Sequence, residues 1–180
     1  MTELQYTTEY ASPFGRLTIS SDGDAITGLW FENAKYFMGT VGEHAAGRKL
    51  SAFDRAAEWL DAYFGGEMPD VTLPLNPRGS AFRQGVWRIL MDIPYGHVRT
   101  YGDIAKELAK AAGKDAMSAQ AVGAAVGHNP ISIIIPCHRV VGANGSLTGF
   151  GGGIQNKLKL LQLEHVDMSG MFVPTKGTAL

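Results

Sequence analysis

Thr100-Tyr101-Gly102-Asp103-Ile104-Ala105 and, a few residues on, Ser118-Ala119-Gln120-Ala121-Val122-Gly123 decide the fold of the second half of this chain. Each stretch opens on a hydroxyl side chain that can accept a backbone N–H from the first turn of a helix. Asp103, three residues after Thr100, makes a variant capping box. The helix begun at Thr100 is expected to bury Ile104, Ala105, Leu108 and Ala112 and to end at Gly113. The next runs over 119–126 and stops before Gly127-His128-Asn129-Pro130, where His128 reads as a polar turn residue. Upstream, Ser80 opens a helix with Phe82, Val86, Ile89, Leu90 and Ile93 on one face, and Pro94-Tyr95-Gly96 breaks it. Downstream, 133–135 and 139–141 read as short extended pieces, Asn144-Gly145 as a tight turn, and Gly151-Gly152-Gly153 as the start of a helix over 154–164. Two helices joined by a turn and followed by a hairpin-like segment predict a helix-turn-helix of winged type.

The helix over 119–126 is almost entirely small residues, with Gln120 its one polar side chain. A major-groove reading helix normally carries Arg, Lys, Asn or Gln toward base edges. A slim helix could approach a duplex closely while reading little sequence. It could equally be packed tightly into a core, and composition does not separate the two.

The first half reads as a meander and a helix. Strands are expected over 6–10, 17–20 and 25–31, with Asp22-Gly23-Asp24 as a turn. Ser51 is expected to cap a helix with Phe53, Ala57, Leu60 and Phe64 inward, stopped by Gly65-Gly66. Residues 68–79 hold Pro69, Pro74 and Pro77 and read as a linker. The expected division is therefore a domain over 1–76, a second over 80–166, and a tail over 167–180.

Of 180 residues, 45% are apolar and 18% charged, the balance of an ordinary globular protein. The start lacks a basic segment followed by an apolar one, and no apolar run approaches the length of a membrane span. With a single cysteine, this favours a reducing cytoplasm and no membrane association. The net charge of −1 is unevenly distributed. Six basic and eleven acidic residues up to Gly79 leave that half at −5; ten basic and six acidic residues from Ser80 leave the other at +4. A basic half beside an acidic one points weakly to a polyanionic partner for the former.

The single cysteine, Cys137, lies in Asn129-Pro130-Ile131-Ser132-Ile133-Ile134-Ile135-Pro136-Cys137-His138-Arg139-Val140-Val141. By residue type alone a free cysteine is more often a small core hydrophobe than a nucleophile. Its neighbours favour reactivity. Pro136 should end a strand and place Cys137 at the strand end or in a turn, where its side chain can face a cleft, and His138 and Arg139 can both lower a thiol pKa. One cysteine among five scattered histidines has no paired metal-ligand spacing.

These stretches together resemble the O6-alkylguanine-DNA alkyltransferase family. The resemblance centres on Ile135-Pro136-Cys137-His138-Arg139-Val140-Val141. It is supported by Phe82-Arg83-Gln84-Gly85-Val86-Trp87, Tyr101-Gly102-Asp103-Ile104-Ala105, Ala121-Val122-Gly123, Asn129-Pro130, Thr148-Gly149-Phe150 and the run from Lys157 to Glu164. It implies an α/β N-terminal domain resembling ribonuclease H, followed by a mostly α winged-helix domain holding the cysteine. It implies irreversible, stoichiometric transfer of an alkyl group from O6 of guanine, and less well from O4 of thymine, to Cys137 after the base is flipped out of double-stranded DNA. It implies a monomer with no cofactor and no metal, since the zinc of some relatives needs cysteines this chain lacks.

Site residues follow from the same resemblance. Cys137 is the acceptor, His138 takes its proton through a water, and Glu164 orients the imidazole. Asn129 ties the helix-turn-helix to the cysteine segment, and the Tyr101 hydroxyl donates to the guanine. The carbonyls of Cys137 and Val140 accept the exocyclic amine, the Gly151 N–H faces O6, and Phe150 walls the pocket. Gln120, Ala121, Gly123, Arg139 and Lys157 complete the expected DNA and substrate contacts. The chain departs from the pattern in three places. Gln120 stands where most relatives have Arg, Phe150 where many have Tyr, and Gly151 where some have Ser. The connection over 110–118 is also longer than in several relatives. Two rivals stay open at this point: a cysteine hydrolase, disfavoured because its dyad partners usually come from separated segments, and a non-catalytic DNA-binding module, whose known examples lack the cysteine.

Overall fold

The structure is a computed structural model that describes residues 3–175. It divides into two compact units, one of residues up to Arg78 together with Pro130–Ser132, the other of Gly79–Asn129 and the chain from Ile133 onward.

The first unit is built on a four-stranded sheet in the order β3-β2-β1-β4. Strands β1 (Gln5–Ser12), β2 (Gly15–Ser21) and β3 (Ile26–Phe31) form the expected antiparallel meander. Strand β4 (His44–Ala46) pairs parallel with β1 and was not expected. Its three residues are exposed, include no β-branched side chain and are too few to alternate. Helix α1 (Ser51–Phe64) packs Phe53, Ala56, Leu60 and Tyr63 inward, the core being completed by Leu17, Ile19, Ile26 and Leu29 of the sheet. Ser51 is the first helical residue and not the cap; Leu50 holds that position in extended conformation, with no side-chain bond. Gly66 (φ +86) ends α1, its N–H and that of Glu67 bonding back to Tyr63 and Ala62. Only a residue at ease in the left-handed region can make this closure.

The outer edge of β3 is covered. Leu75 bridges Ile26, and Ile131 bridges Leu29. Part of the proline-rich stretch over 68–79 is thus strand-like pairing, where a linker was expected. These short additions satisfy backbone groups that an edge strand would leave open.

The second unit holds α2 (Ala81–Met91), α3 (Tyr101–Ala111), α4 (Ala119–Gly127) and α5 (Ile154–Leu163). Two-residue strands β5 (Arg99–Thr100) and β6 (Val140–Val141) pair in parallel. Ser80, Thr100 and Ser118 each accept the N–H of the residue three positions on, so all three expected caps form. Trp87 of α2 is buried, and its indole N–H donates to the Ala125 carbonyl of α4 at 2.9 Å. Val122, Ala125 and Val126 face inward, while Gln120, Ala121 and Ala124 are exposed. The small-residue helix therefore does both things the sequence left open: one face is core and the other is bare.

Residues 167–175, expected as a tail, are tied down. Met168 and Met171 pack on Val141, Leu147, Leu161 and Val166, and Phe172 exchanges backbone bonds with Gly145 and Leu147. The rest of the expected tail lies outside the described residues.

Candidate active site

The segment before the cysteine is not extended. Residues 132–134 turn, and Ile133 adopts φ +72 with its side chain buried. A β-branched residue in the left-handed region costs about 1–2 kcal/mol. Burial of Ile131, Ile133, Ile134 and Ile135 offsets it. Cys137 then opens a single 3₁₀ turn, Cys137–Arg139, the turn being one of the two placements expected for it. This turn is what brings three consecutive side chains to one locus.

Cys137 is buried. Burial raises its thiol pKa; a hydrogen bond from the Asn129 side chain, the charge of Lys157 and the backbone N–H groups of Cys137 and His138 act against that rise. Asn129 also donates to the Ile135 carbonyl at 2.8 Å, linking the end of α4 to the cysteine turn. Three donors and a cation thus offset part of the burial, while the thiol pKa stays raised overall.

His138 is fully buried and its Nε2 bonds the Glu164 carboxylate. Arg139 lies beside it: Nε donates to Glu164 at 2.7 Å, Nη1 donates to the Ile93 carbonyl at 2.7 Å, and the guanidinium sits 5.8 Å from the Tyr95 ring centre. The Gly96 N–H also donates to Glu164, at 3.2 Å. Burial opposes ionisation of Glu164, but the His138 bond and charge and the Arg139 guanidinium hold the carboxyl at about 2. Burial lowers the His138 pKa in spite of Glu164. At rest the pair is therefore neutral imidazole donating through Nε2 to an anionic carboxylate. Nδ1 is left with the lone pair that can take a proton.

This predicts the acid behaviour of the fold. The unfolded chain protonates His138 near pH 6.5 and Glu164 near 4.5, while the fold resists both. Stability contributed by the pair is present above those values and is lost as pH falls, with Glu164 worth on the order of 3 kcal/mol by pH 2. Urea unfolding from pH 7 to 3 should show a falling midpoint; Glu164→Gln should remove the part of the fall below about pH 4.5 and leave the part that His138 contributes at higher pH. A wild-type midpoint independent of pH would contradict the assignment.

Lys157 on α5 is fully buried and donates to the carbonyls of Val140 and Thr148, the latter at 2.8 Å. Burial lowers its pKa to about 8 and the charge of Cys137 pulls it back up. Tyr101, at the start of α3, donates to the same Thr148 carbonyl at 2.9 Å. Burial, and the charge on Cys137, push its phenol upward. Gly149 (φ +86) is required here, since a Cβ would stand 2.3 Å from the Tyr101 hydroxyl. Phe150 is buried with its ring centre 6.5 Å from that of His138. Gly151 lies against the end of α4, where a Cβ would meet the Gly127 carbonyl at 3.3 Å.

The structure thus gathers Cys137, His138, Glu164, Asn129, Tyr101, Val140, Phe150 and Lys157. Three of the expected DNA and substrate residues are engaged within the protein. Arg139 is turned inward onto Glu164 and Ile93. Lys157 is interior, held by two carbonyls beside the cysteine turn. Gly123 is half-buried, and a Cβ there would lie 3.8 Å from the Tyr101 ring. Gln120 and Ala121 stand exposed on the first turn of α4. Sequence reading missed Ile93 and Gly96 as partners of the buried ions. The signal for Lys157 and Glu164 was present: with Leu160 and Leu161 they occupy i, i+3, i+4 and i+7, the core stripe of α5. Among the described residues no group of three or more His, Cys, Asp or Glu could hold a metal, and no helix is long and apolar enough to cross a membrane.

Two family models match, the ribonuclease-like domain of 6-O-methylguanine DNA methyltransferase over residues 5–77 and the DNA binding domain of the same family over 81–166. The chain is 44% identical to a methylated-DNA–protein-cysteine methyltransferase of Haemophilus influenzae, over 92% of this chain and 89% of the relative. It is 46% identical to the protein of that name from Mycobacterium tuberculosis, over 85% and 88%. The crystal structure of Mycobacterium tuberculosis OGT in complex with DNA superposes with a TM-score of 0.75 at 41% identity, covering 90% of this chain and 92% of that one. From its cysteine turn to both of its domains, this chain belongs to the 6-O-methylguanine DNA methyltransferase family.

Proposed function

We propose that this chain reverses DNA damage directly, moving a methyl or larger alkyl group from O6 of guanine in double-stranded DNA to the sulfur of Cys137. The observation that supports it most is a lone buried thiol facing Asn129 and Lys157, next to an imidazole that an ionised Glu164 orients. The reaction is displacement at a saturated carbon. The sulfur lone pair forms the S–C bond as the C–O6 bond breaks, and that electron pair leaves on the guanine oxygen. The thiol proton goes to Nδ1 of His138 through a bridging water, and the imidazolium is stabilised by Glu164. Lys157 and Asn129 favour the thiolate in a site where water is scarce.

Cys137 is buried, so a base stacked in a duplex does not reach it. The base turns out at a cost of a few kcal/mol. Gln120 and Ala121, exposed at the start of α4, face the gap it leaves. The exocyclic amine meets the carbonyls of Cys137 and Val140; a carbonyl oxygen already bonded to Lys157 keeps a second lone pair for it. The Gly151 N–H faces O6, Phe150 walls the base, and Tyr101 exchanges Thr148 for the guanine. O4-alkylthymine is the lesser substrate. The thioether product has no leaving group that water can displace, so each chain acts once. It works as a monomer in the cytoplasm.

Cys137→Ser separates recognition from transfer. This variant should hold an O6-methylguanine duplex with near wild-type affinity while leaving the methyl group in place over hours. Loss of methyl from the DNA in the serine variant would overturn the reading.

A further inference from the structure

The surplus charge of the second half has an uneven address. Of its ten basic residues, Arg139 and Lys157 are buried and Arg99 pairs with Glu107 at 2.6 Å. Three of the others, Lys106, Lys110 and Lys114, fall within nine residues at the end of α3 and the turn after it. All three are exposed, and none forms an ion pair among the described residues. The pairing of Glu107 with Arg99 engages the acid one turn before Lys110. Asp103, one turn before Lys106, and Asp115 are the other acids nearby, and neither forms an ion pair among the described residues.

The turn is built and held. Gly113 (φ +65) closes α3, its N–H bonding Lys110 and that of Lys114 bonding Ala109. This closure fixes the backbone of Lys114 onto the helix end. From Lys110 to Ala121 every residue but Met117 is exposed, so bare surface continues from the lysines to the first turn of α4. Lys114 is four residues before Ser118, a reach of at most about 14 Å. Gln120, the exposed polar side chain of α4, carries no charge. Cations that could serve this helix must come from elsewhere, and along the chain the three lysines are the nearest before it.

We infer that Lys106, Lys110 and Lys114 form a phosphate-holding ridge that seats duplex DNA beside the N-terminal turn of α4. The inference rests on the methyl-transfer reading for the identity of the polyanion. The lysines supply sequence-independent attraction and orientation, while the turn of α4 meets the extrahelical site. Lys110, in the last turn of α3, also complements the helix dipole, but that is a local effect on stability and has no signature in DNA binding.

The test is the salt dependence of binding to an undamaged duplex by fluorescence anisotropy, with wild type and the triple variant Lys106→Gln, Lys110→Gln, Lys114→Gln. Each lost phosphate contact lowers the slope of log affinity against log salt by about 0.9. The triple variant should lose about 2 to 3 from that slope, and its reaction with free O6-benzylguanine base, which has no phosphates, should match wild type. Lys49→Gln, exposed in the first unit, should leave the slope unchanged. An unaltered slope in the triple variant, an equal loss per charge from Lys49→Gln, or an equal loss in the phosphate-free reaction would each overturn the ridge. If wild type alkylates itself from neither free base nor duplex, the methyl-transfer reading has failed, and the slope still reports on the lysines.

Discussion

Glu164→Gln is expected to slow methyl transfer by about 10²- to 10⁴-fold and to destabilise the fold by about 3 kcal/mol or more. The substitution keeps the shape of the side chain and removes its charge. His138 then loses the anion that would stabilise its protonated form, so proton removal from Cys137 becomes uphill. Arg139 loses its counter-charge while still buried against Ile93. Breaking one partner of a buried ion pair costs more than the pair was worth, because the survivor keeps its desolvation penalty. The two effects separate experimentally. Single-turnover rates measured well below the melting temperature report on the chemistry, and denaturant unfolding reports on the fold. A variant that transfers methyl within threefold of the wild-type rate would show that the carboxylate only braces the structure.

Lys157→Met should lower the transfer rate at neutral pH by about tenfold or more, through the thiol. The unbranched stem is nearly preserved and the cation beside Cys137 is lost. One unit of upward shift in the thiol pKa is 1.36 kcal/mol against the thiolate. The sign of the pH dependence follows from the lysine itself, whose pKa in the fold is about 8. Below pH 8 wild type has the cation and the variant does not. Above it both are neutral, so the difference in rate should shrink as pH rises from 7 to 9. The same depressed pKa makes wild-type stability rise between about pH 8 and 10.5, where the unfolded chain holds a proton on Lys157 that the fold has lost. A rate deficit constant from pH 7 to 9 would mean that Lys157 acts by holding Val140 and Thr148 in place and not by charge.

What the sequence displayed was the local chemistry. Ser80, Thr100 and Ser118 announce three helices because a cap needs only the residue and the next three positions. Cys137 and His138 are adjacent, so their association needed no fold. What stayed hidden depended on partners distant along the chain. Arg139 reads as a surface cation until Ile93 and Glu164 are seen to meet it, 46 and 25 residues away. Resemblance put Lys157 among the site contacts, but that it is interior and held by the Val140 and Thr148 carbonyls needed the fold. Glu164 could be assigned only through resemblance, although its place on the apolar stripe of α5 was visible. The triple isoleucine at 133–135 imitates a strand, and a left-handed Ile133 is an outcome that local preference argues against. Tertiary burial overrode it. Strand β4 had no pattern to read, and its pairing with β1 is purely a matter of place.

Mass spectrometry of the intact chain tests the central claim most directly. Mixed with a molar excess of O6-methylguanine duplex, each chain should gain the mass of one methylene and no more, the fragment ions should put it on Cys137, and fresh substrate should add nothing. Repeated removal of methyl groups by an unmodified chain, or a methyl group found on any other residue, would contradict an account in which a single buried sulfur keeps what it takes.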